Sequence, residues 1–163
     1  MKRKHFFEKE SIDRGKAGRY NDGMKKIVEV ACAIIRAKRG TGSEVRLLIA
    51  QRKPEVFLGG YWEFPGGKLE EGESVQDCLA REVYEELGVR VRPAEFFRLE
   101  EHAYPEKTVR LHFYFCDWVS GNPEKRDCHD FRWIRPEEMK DFNFIPADKE
   151  MIEALIRGRT KYF

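Results

Sequence analysis

No apolar run in the 163-residue chain approaches the roughly 20 residues that a membrane-spanning helix needs, so a transmembrane protein is not expected. The basic start, MKRKHFFEKESIDRGK, is followed by no apolar segment, which argues against a secretory signal. Cysteine is sparse and scattered: Cys32, Cys78, Cys116 and Cys128 make no CxxC pair and no dense disulfide spacing. The four histidines, His5, His102, His112 and His129, form no HExxH or other metal-ligand spacing, so zinc chemistry is not expected. Net charge is also nearly absent, with 31 Lys and Arg against 29 Asp and Glu, leaving +2. Stable nucleic-acid binding needs a concentrated cationic surface, and none is visible. Repeats and low-complexity segments are missing too. The default is a cytoplasmic protein without a membrane partner, either a monomer or a homodimer.

What is present suits one folded domain. Hydrophobic residues make up 41% of the chain, including 12 Phe, 6 Tyr and 3 Trp, while 37% are charged, which implies a core under a wet surface. At roughly 100 to 200 residues per domain there is no room for a second full one. Before Met24 seven Lys or Arg face four Asp or Glu, so the small positive balance belongs to a polar basic extension, residues 1–23. Met24 itself reads as a second start, and the domain is assigned to residues 24–163. The extension reads either as a peripheral arm or as a phosphate- or partner-binding one.

Ile27 to Ile35 reads as a strand, followed by a Gly-containing turn at Arg39 to Gly42 and a second strand from Val45 to Ala50. A long loop, KPEVFLGGYWEFPGGKLEEGE, comes next, and loops of that length inside a compact domain are usually functional. A helix is predicted from Ser74 to Leu87, with Ser74 as N-cap, Asp77 completing a capping-box-like pair and Gly88 as the stop. Strands are predicted at Arg90 to Phe97, Val109 to Trp118 and Arg132 to Ile134, a helical turn at Glu137 to Lys140, and a closing helix at Ala147 to Ile156. Many strands and two separated helices suggest a mixed sheet with helices packed on it.

The first helix carries acids where apolar residues belong. On a projection of about 100° per residue from Val75, Cys78, Leu79, Val83 and Leu87 span an arc from about −60° to +120°. Glu86 at about +20° and Glu82 at about −20° fall inside it, with Glu85 near its edge. Their i, i+3, i+4 spacing gathers like charges that repel, and partial burial raises the cost. One reading is a surface helix neutralised by Arg81 and Lys68. The other is a hard cation, Mg2+ or Mn2+, held by oxygen ligands only. Gly66 and Gly67 permit close backbone approach, and Lys68 adds a cation beside the acids, so this loop and helix suit a magnesium-bridged polyphosphate.

Gly67, Glu73, Arg81, Glu82, Val83, Glu85, Glu86, Gly88 and Val89 match the Nudix box, Gx5Ex7REUxEExGU with U aliphatic, at every specified position. The chain therefore resembles the Nudix hydrolases. WEFPGGKLEEGES and FNFIPADKEMIEAL make it similar to the MutT branch over roughly Met24 to Ile156. The resemblance implies an α/β fold, an α/β/α sandwich around a mixed sheet, and hydrolysis of nucleoside triphosphates to monophosphate and pyrophosphate. It implies metal binding by Glu82, Glu85 and Glu86 with the Gly66 carbonyl, while Arg81 and Glu73 hold loop and helix together. A further acid six residues before Trp133 falls on Asp127, where the branch usually has Glu; Asp130 competes for the role of metal ligand or water activator.

By the same resemblance Arg52 and Lys68 are expected to contact phosphate. Phe64 and Tyr104 are expected to wall the base pocket, with Lys107 at a position that is often basic; both aromatics equally suit plain core packing. Asp148 stands where the 8-oxo-guanine enzymes of the bacterial branch carry Asn. An ionised Asp only accepts hydrogen bonds, so guanine-type N–H groups or a cytosine amino group would suit it. The leading expectation is a Mg-dependent pyrophosphohydrolase of oxidised or modified nucleoside triphosphates. CTP or modified-pyrimidine triphosphate hydrolysis, ADP-ribose or dinucleoside polyphosphate hydrolysis, RNA decapping and a non-catalytic nucleotide sensor stand as alternatives. The intact REVYEE argues against the sensor, which would not need every acid.

Overall fold

A computed structural model describes residues 26–38 and 44–158. The basic extension, the Met24 start and the predicted turn at Arg39 to Gly42 lie outside the described residues. The elements run β1 Lys26–Lys38, β2 Val45–Gln51, β3 Trp62–Glu63, β4 Gly66–Lys68, α1 Val75–Leu87, β5 Arg90–Ala103, β6 Lys107–Ser120, β7 Asp130–Ile134 and α2 Lys149–Arg157. Short 3-10 turns at Pro136–Asp141 and Pro146–Asp148 precede α2. No helix among the described residues is long and apolar enough to cross a membrane.

The strands form one seven-stranded mixed sheet with the path β3-β2-β1-β6-β5, where β4 also pairs with β1 and β7 with β2. β1 and β6 run parallel and the other pairs are antiparallel. One edge of β1 is shared: Val30–Cys32 pair with β4, and Ile35–Lys38 pair with β2. Ala33 N–H donates to Pro65 O at 2.8 Å, closing the gap between the two partners. The segment expected as one long loop thus contains two short strands. Their two- and three-residue lengths are too brief for alternation to appear in sequence.

Period-two alternation sorts the sheet into two apolar faces. Val30, Cys32 and Ile34 of β1 join Leu47 and Ile49 of β2 and Val109, Leu111, Phe113 and Phe115 of β6, packed with Met139, Met151 and Leu155 from the closing segments. The opposite face carries Ala31, Ala33, Ile35, Leu48 and Ala50 and receives Cys78, Leu79, Val83 and Leu87 of α1. The alanines at the centre let the helix approach closely. Helices on both sides of a mixed sheet make the α/β/α sandwich that the sequence implies.

α1 forms as its signals require. Ser74 has an extended backbone, and its Oγ accepts from Asp77 N at 3.1 Å while donating to Asp77 Oδ2 at 2.7 Å. The Asp77 carboxylate thus closes on the cap hydroxyl rather than the cap amide that a full capping box would use. Gly88 ends the helix at φ 71°, a left-handed conformation costly for other residues, and its N–H donates to Tyr84 O. β5 extends to Ala103, six residues past its expected end, because register shifts realign it and keep its polar second half paired with β6.

Leu79 is fully buried where α1 meets the sheet. Leu79→Ala should therefore destabilise the protein by about 3 kcal/mol in urea unfolding; a loss under about 1 kcal/mol would show that the face collapses around the gap.

Candidate active site

Strand β4 lies so close to β1 that Gly66 admits no side chain, and so close to α1 that a side chain at Gly67 would displace the Glu82 carboxylate. A Cβ on Gly66 would stand 1.9 Å from Ala31 O, and one on Gly67 would stand 2.4 Å from Glu82 Cδ. Without side chains there, the acids inside the apolar arc of α1 face backbone instead of core. Gly66 N–H donates to Glu86 Oε2 at 3.3 Å.

The loop before α1 is tied to the helix by one arginine. Arg81 makes a paired contact to Glu73, Nε to Oε1 at 2.7 Å and Nη2 to Oε2 at 2.8 Å. It also donates from Nη1 to Glu82 Oε1 at 2.5 Å, sits 3.5 Å from Glu85, and donates to Lys68 O at 3.3 Å. Bonded first by Arg81, Glu73 is held down to about 2 from the usual 4.5. The loop-bracing role expected of this pair has a matching geometry.

These elements open onto a cavity of about 510 Å³. Arg81, Glu82, Glu85 and Glu86 of α1 and the Gly66–Lys68 strand line it together with Val30, Cys32, Phe64, Leu111, Ile145 and Asp148. Arg52, Lys53, Glu63 and Asp127 also contribute to the wall. Of the expected site residues, Arg52, Phe64, Gly66, Lys68, Glu82, Glu85, Glu86, Asp127 and Asp148 are thus brought together. Tyr104 and Lys107 are not on the wall. They close the β5–β6 hairpin, where Tyr104 N–H donates to Lys107 O at 2.8 Å and the Tyr104 ring meets His102 edge-on. Tyr104 packs against the core behind the pocket, its phenol pushed up by burial and then by Asp148. Phe64 stacks on Phe144 at 5.5 Å and meets Phe113 edge-on, so it serves as both core and pocket wall.

Two residues given no role in the sequence shape the electrostatics. Glu63 accepts from Arg52 at 2.8 and 3.0 Å, and Arg52 Nε donates to Phe57 O at 2.9 Å. The Arg52 guanidinium, expected at phosphate, is buried and committed to this carboxylate. Lys53 Nζ lies 2.7 Å from Asp127 Oδ1. Glu63 sits inside the WEFPGG motif and adjoins Phe64, which was the available signal; Lys53 and Asp127 meet across 74 residues with no local pattern. Asp130, the rival to Asp127, pairs with Lys125 at 2.9 Å and Arg132 at 2.7 Å and is not on the cavity wall.

Two buried carboxyls stand on the cavity wall. Glu86 is pushed well above its ordinary value by burial and then by Glu63, Glu82 and Asp127, against the opposing Gly66 amide. Asp148, 2% exposed, is likewise raised by burial and by Glu63, opposed by a hydrogen bond from Phe64 backbone. This alters the expectation for Asp148: desolvation favours the neutral acid, which donates as well as accepts.

All candidate metal donors are oxygens, and crowded acids around recessed Glu86 fit a hard divalent cation that would favour their charged forms. Among the described residues, no three acidic, histidine or cysteine side chains converge into a ready-made ligand set. Glu82 is turned to Arg81, Glu86 to the Gly66 amide and Asp127 to Lys53. The residue types fit, and binding requires these partners to be exchanged.

The chain matches the NUDIX domain family over residues 31–154. It thereby belongs to the Nudix hydrolases, enzymes acting on acid anhydrides in phosphorus-containing substrates. It is 30% identical to the CTP pyrophosphohydrolase of Escherichia coli (strain K12) over 83% of this chain and 96% of that protein. It is 35% identical to a putative 8-oxo-dGTP diphosphatase 2 of Mycobacterium tuberculosis (strain ATCC 25618 / H37Rv) over 82% of this chain and 91% of that one. Among solved structures, the E. coli ORF135 protein superposes with a TM-score of 0.71 at 31% identity, covering 85% of this chain and 94% of that one.

The Glu73–Arg81 brace carries a pH signature. Because the folded-state pKa of Glu73 is depressed from 4.5 to about 2, its stabilisation is complete above the unfolded value and lost as pH falls through that window. Glu73→Gln should cost about 1–3 kcal/mol at pH 7 in urea unfolding, with the gap from wild type closing between about pH 4.5 and 2. A gap independent of pH would remove the ion pair as its cause.

Proposed function

We propose that this enzyme is a divalent-metal-dependent nucleoside triphosphate pyrophosphohydrolase releasing a nucleoside monophosphate and pyrophosphate. The observation that supports this is one cavity joining the acidic face of α1 and the glycine strand β4 to an apolar wall ending at buried Asp148. Its size falls within the range that small-ligand sites occupy. Glu82, Glu85, Glu86, Asp127 and the Gly66 carbonyl would hold Mg2+ or Mn2+, which when bound screens phosphate charge and acidifies water for attack at phosphorus. Lys68 would orient the phosphate chain, with Arg52 held in the wall by Glu63, and Phe64 would pack the base. Asp127, one methylene shorter than Glu, reaches the cavity because its backbone N–H is fastened to Glu86 O at 3.0 Å.

For the base, modified purine triphosphates are the leading reading and CTP the second. A neutral Asp148 presents one donor and one acceptor side by side. That pair complements N3 and the amino group of cytosine, or O6 and N1–H of a guanine-type base. The relative named as a CTP pyrophosphohydrolase favours the second reading, and the relatives named as 8-oxo-dGTP diphosphatases favour the first.

Incubation with Mg2+ and a panel of normal, oxidised and methylated triphosphates, ADP-ribose and diadenosine polyphosphates, with product identification, tests the assignment. A triphosphate should yield its monophosphate and pyrophosphate; disappearance of ADP-ribose alone would overturn the reading. Glu85→Gln should lower kcat at least about a hundredfold with the unfolding midpoint unchanged, since an electrostatic contact made in the transition state is worth that much. Substantial residual turnover would remove Glu85 from the metal set. Asp148→Ala, which removes both the donor and the acceptor, should reorder the substrates without altering the products, whereas an unchanged ranking would remove Asp148 from base recognition.

A further inference from the structure

The cavity wall holds four cationic side chains, Arg52, Lys53, Lys68 and Arg81. Arg52 is buried, anchored by Glu63 and the Phe57 carbonyl, and Arg81 is fixed by Glu73, Glu82 and the Lys68 carbonyl. Withdrawing Arg52 would strand a desolvated charge, and withdrawing Arg81 would break several contacts at once and loosen the loop it braces. Lys53 differs. Among the described residues its ammonium has one hydrogen-bonding partner, Asp127 Oδ1 at 2.7 Å, and its side chain is 30% exposed on a four-carbon stem, with Asp127 at 19%. A single half-buried contact on a flexible stem is easier to exchange than the multiply bonded arginines.

The partner is the acid assigned above to the metal set. An ammonium on Asp127 Oδ1 occupies the oxygen that a divalent cation would take, and two cations on one oxygen repel. Asp127 has little freedom to avoid this conflict by backbone movement, since its own N–H is bonded to Glu86 O and, three residues earlier, Glu124 N–H to Leu87 O at 2.8 Å. The mobile member of the pair is Lys53.

We infer that Lys53 is a positioning residue that exchanges partners: it holds Asp127 in the nucleotide-free enzyme and moves to the phosphate chain when substrate enters, leaving Asp127 to the cation. This rests on the assignment of Asp127 as a metal ligand. The exchange gives Lys53 two opposed effects. It weakens cation binding by the free protein, because Asp127 is engaged, and it strengthens substrate binding, because its ammonium ends on phosphate oxygens. A lysine that only braced the fold would produce neither.

The test measures Mn2+ binding to the nucleotide-free protein by electron paramagnetic resonance, in wild type, Lys53→Met, Asp127→Asn and the double variant. Lys53→Met should tighten Mn2+ binding about tenfold, and the tightening should vanish on the Asp127→Asn background. Equal tightening on both backgrounds would reduce Lys53 to a general charge effect, and no tightening in the single variant would remove the hold on Asp127; either overturns the exchange. In Mg2+ assays with CTP and 8-oxo-dGTP, Lys53→Met should raise KM about tenfold for the substrate turned over, as loss of one charge-assisted hydrogen bond predicts, and Lys53→Arg should recover most of it. An unchanged KM would likewise overturn the inference. If Asp127→Asn alone binds Mn2+ and turns over like wild type, the metal assignment itself fails.

Discussion

The contact of a side-chain-free strand with an acidic helix governs this protein. Gly66 and Gly67 let β4 lie against both β1 and α1, with Gly66 under Ala31 O and Gly67 under the Glu82 carboxylate. A side chain at Gly66 would push β4 off β1, and one at Gly67 would turn the Glu82 carboxylate aside. The alanines of β1 serve the same closeness from the other side. The site is therefore a consequence of packing: acids occupy an arc that would otherwise be core because the opposing surface is bare backbone.

Around that contact the charges are bound in sets. Arg81 gathers Glu73, Glu82 and Glu85, Arg52 takes Glu63, and Lys53 takes Asp127. Each ion pair lowers the repulsion that a chamber of carboxylates would suffer in the free protein. The cations differ in burial and in the number of bonds they make: the Arg52 guanidinium is locked by desolvation and three hydrogen bonds, whereas the half-buried Lys53 ammonium is held by one among the described residues. A polyphosphate with its cation offers both members of a releasable pair a new partner.

The two buried carboxyls on the cavity wall follow a common rule with different uses. Burial and Glu63 raise both Glu86 and Asp148. Glu86 adjoins acids that a cation would reconcile, so its charged form is the useful one. Asp148 stands against the Phe64 backbone, where burial favours the neutral acid, the form whose donor and acceptor the proposed base contact would use. Side-chain identity alone suggested an acceptor; its surroundings change that.

Much of this was legible in the chain itself. The spacing of Glu82, Glu85 and Glu86 within an apolar arc, the Ser74 and Gly88 helix ends, and the Nudix box depend on neighbours within a turn or a loop, and local sequence determines such geometry. Alternation along β1 and β6 likewise set the two faces of the sheet. The short strands β3 and β4, the burial of Arg52 against Glu63, the meeting of Lys53 with Asp127 and the retreat of Tyr104 and Lys107 from the cavity wall were decided only by tertiary structure. These depend on contacts between segments far apart in sequence and on desolvation, which exist only once the sheet and helices have closed around one another.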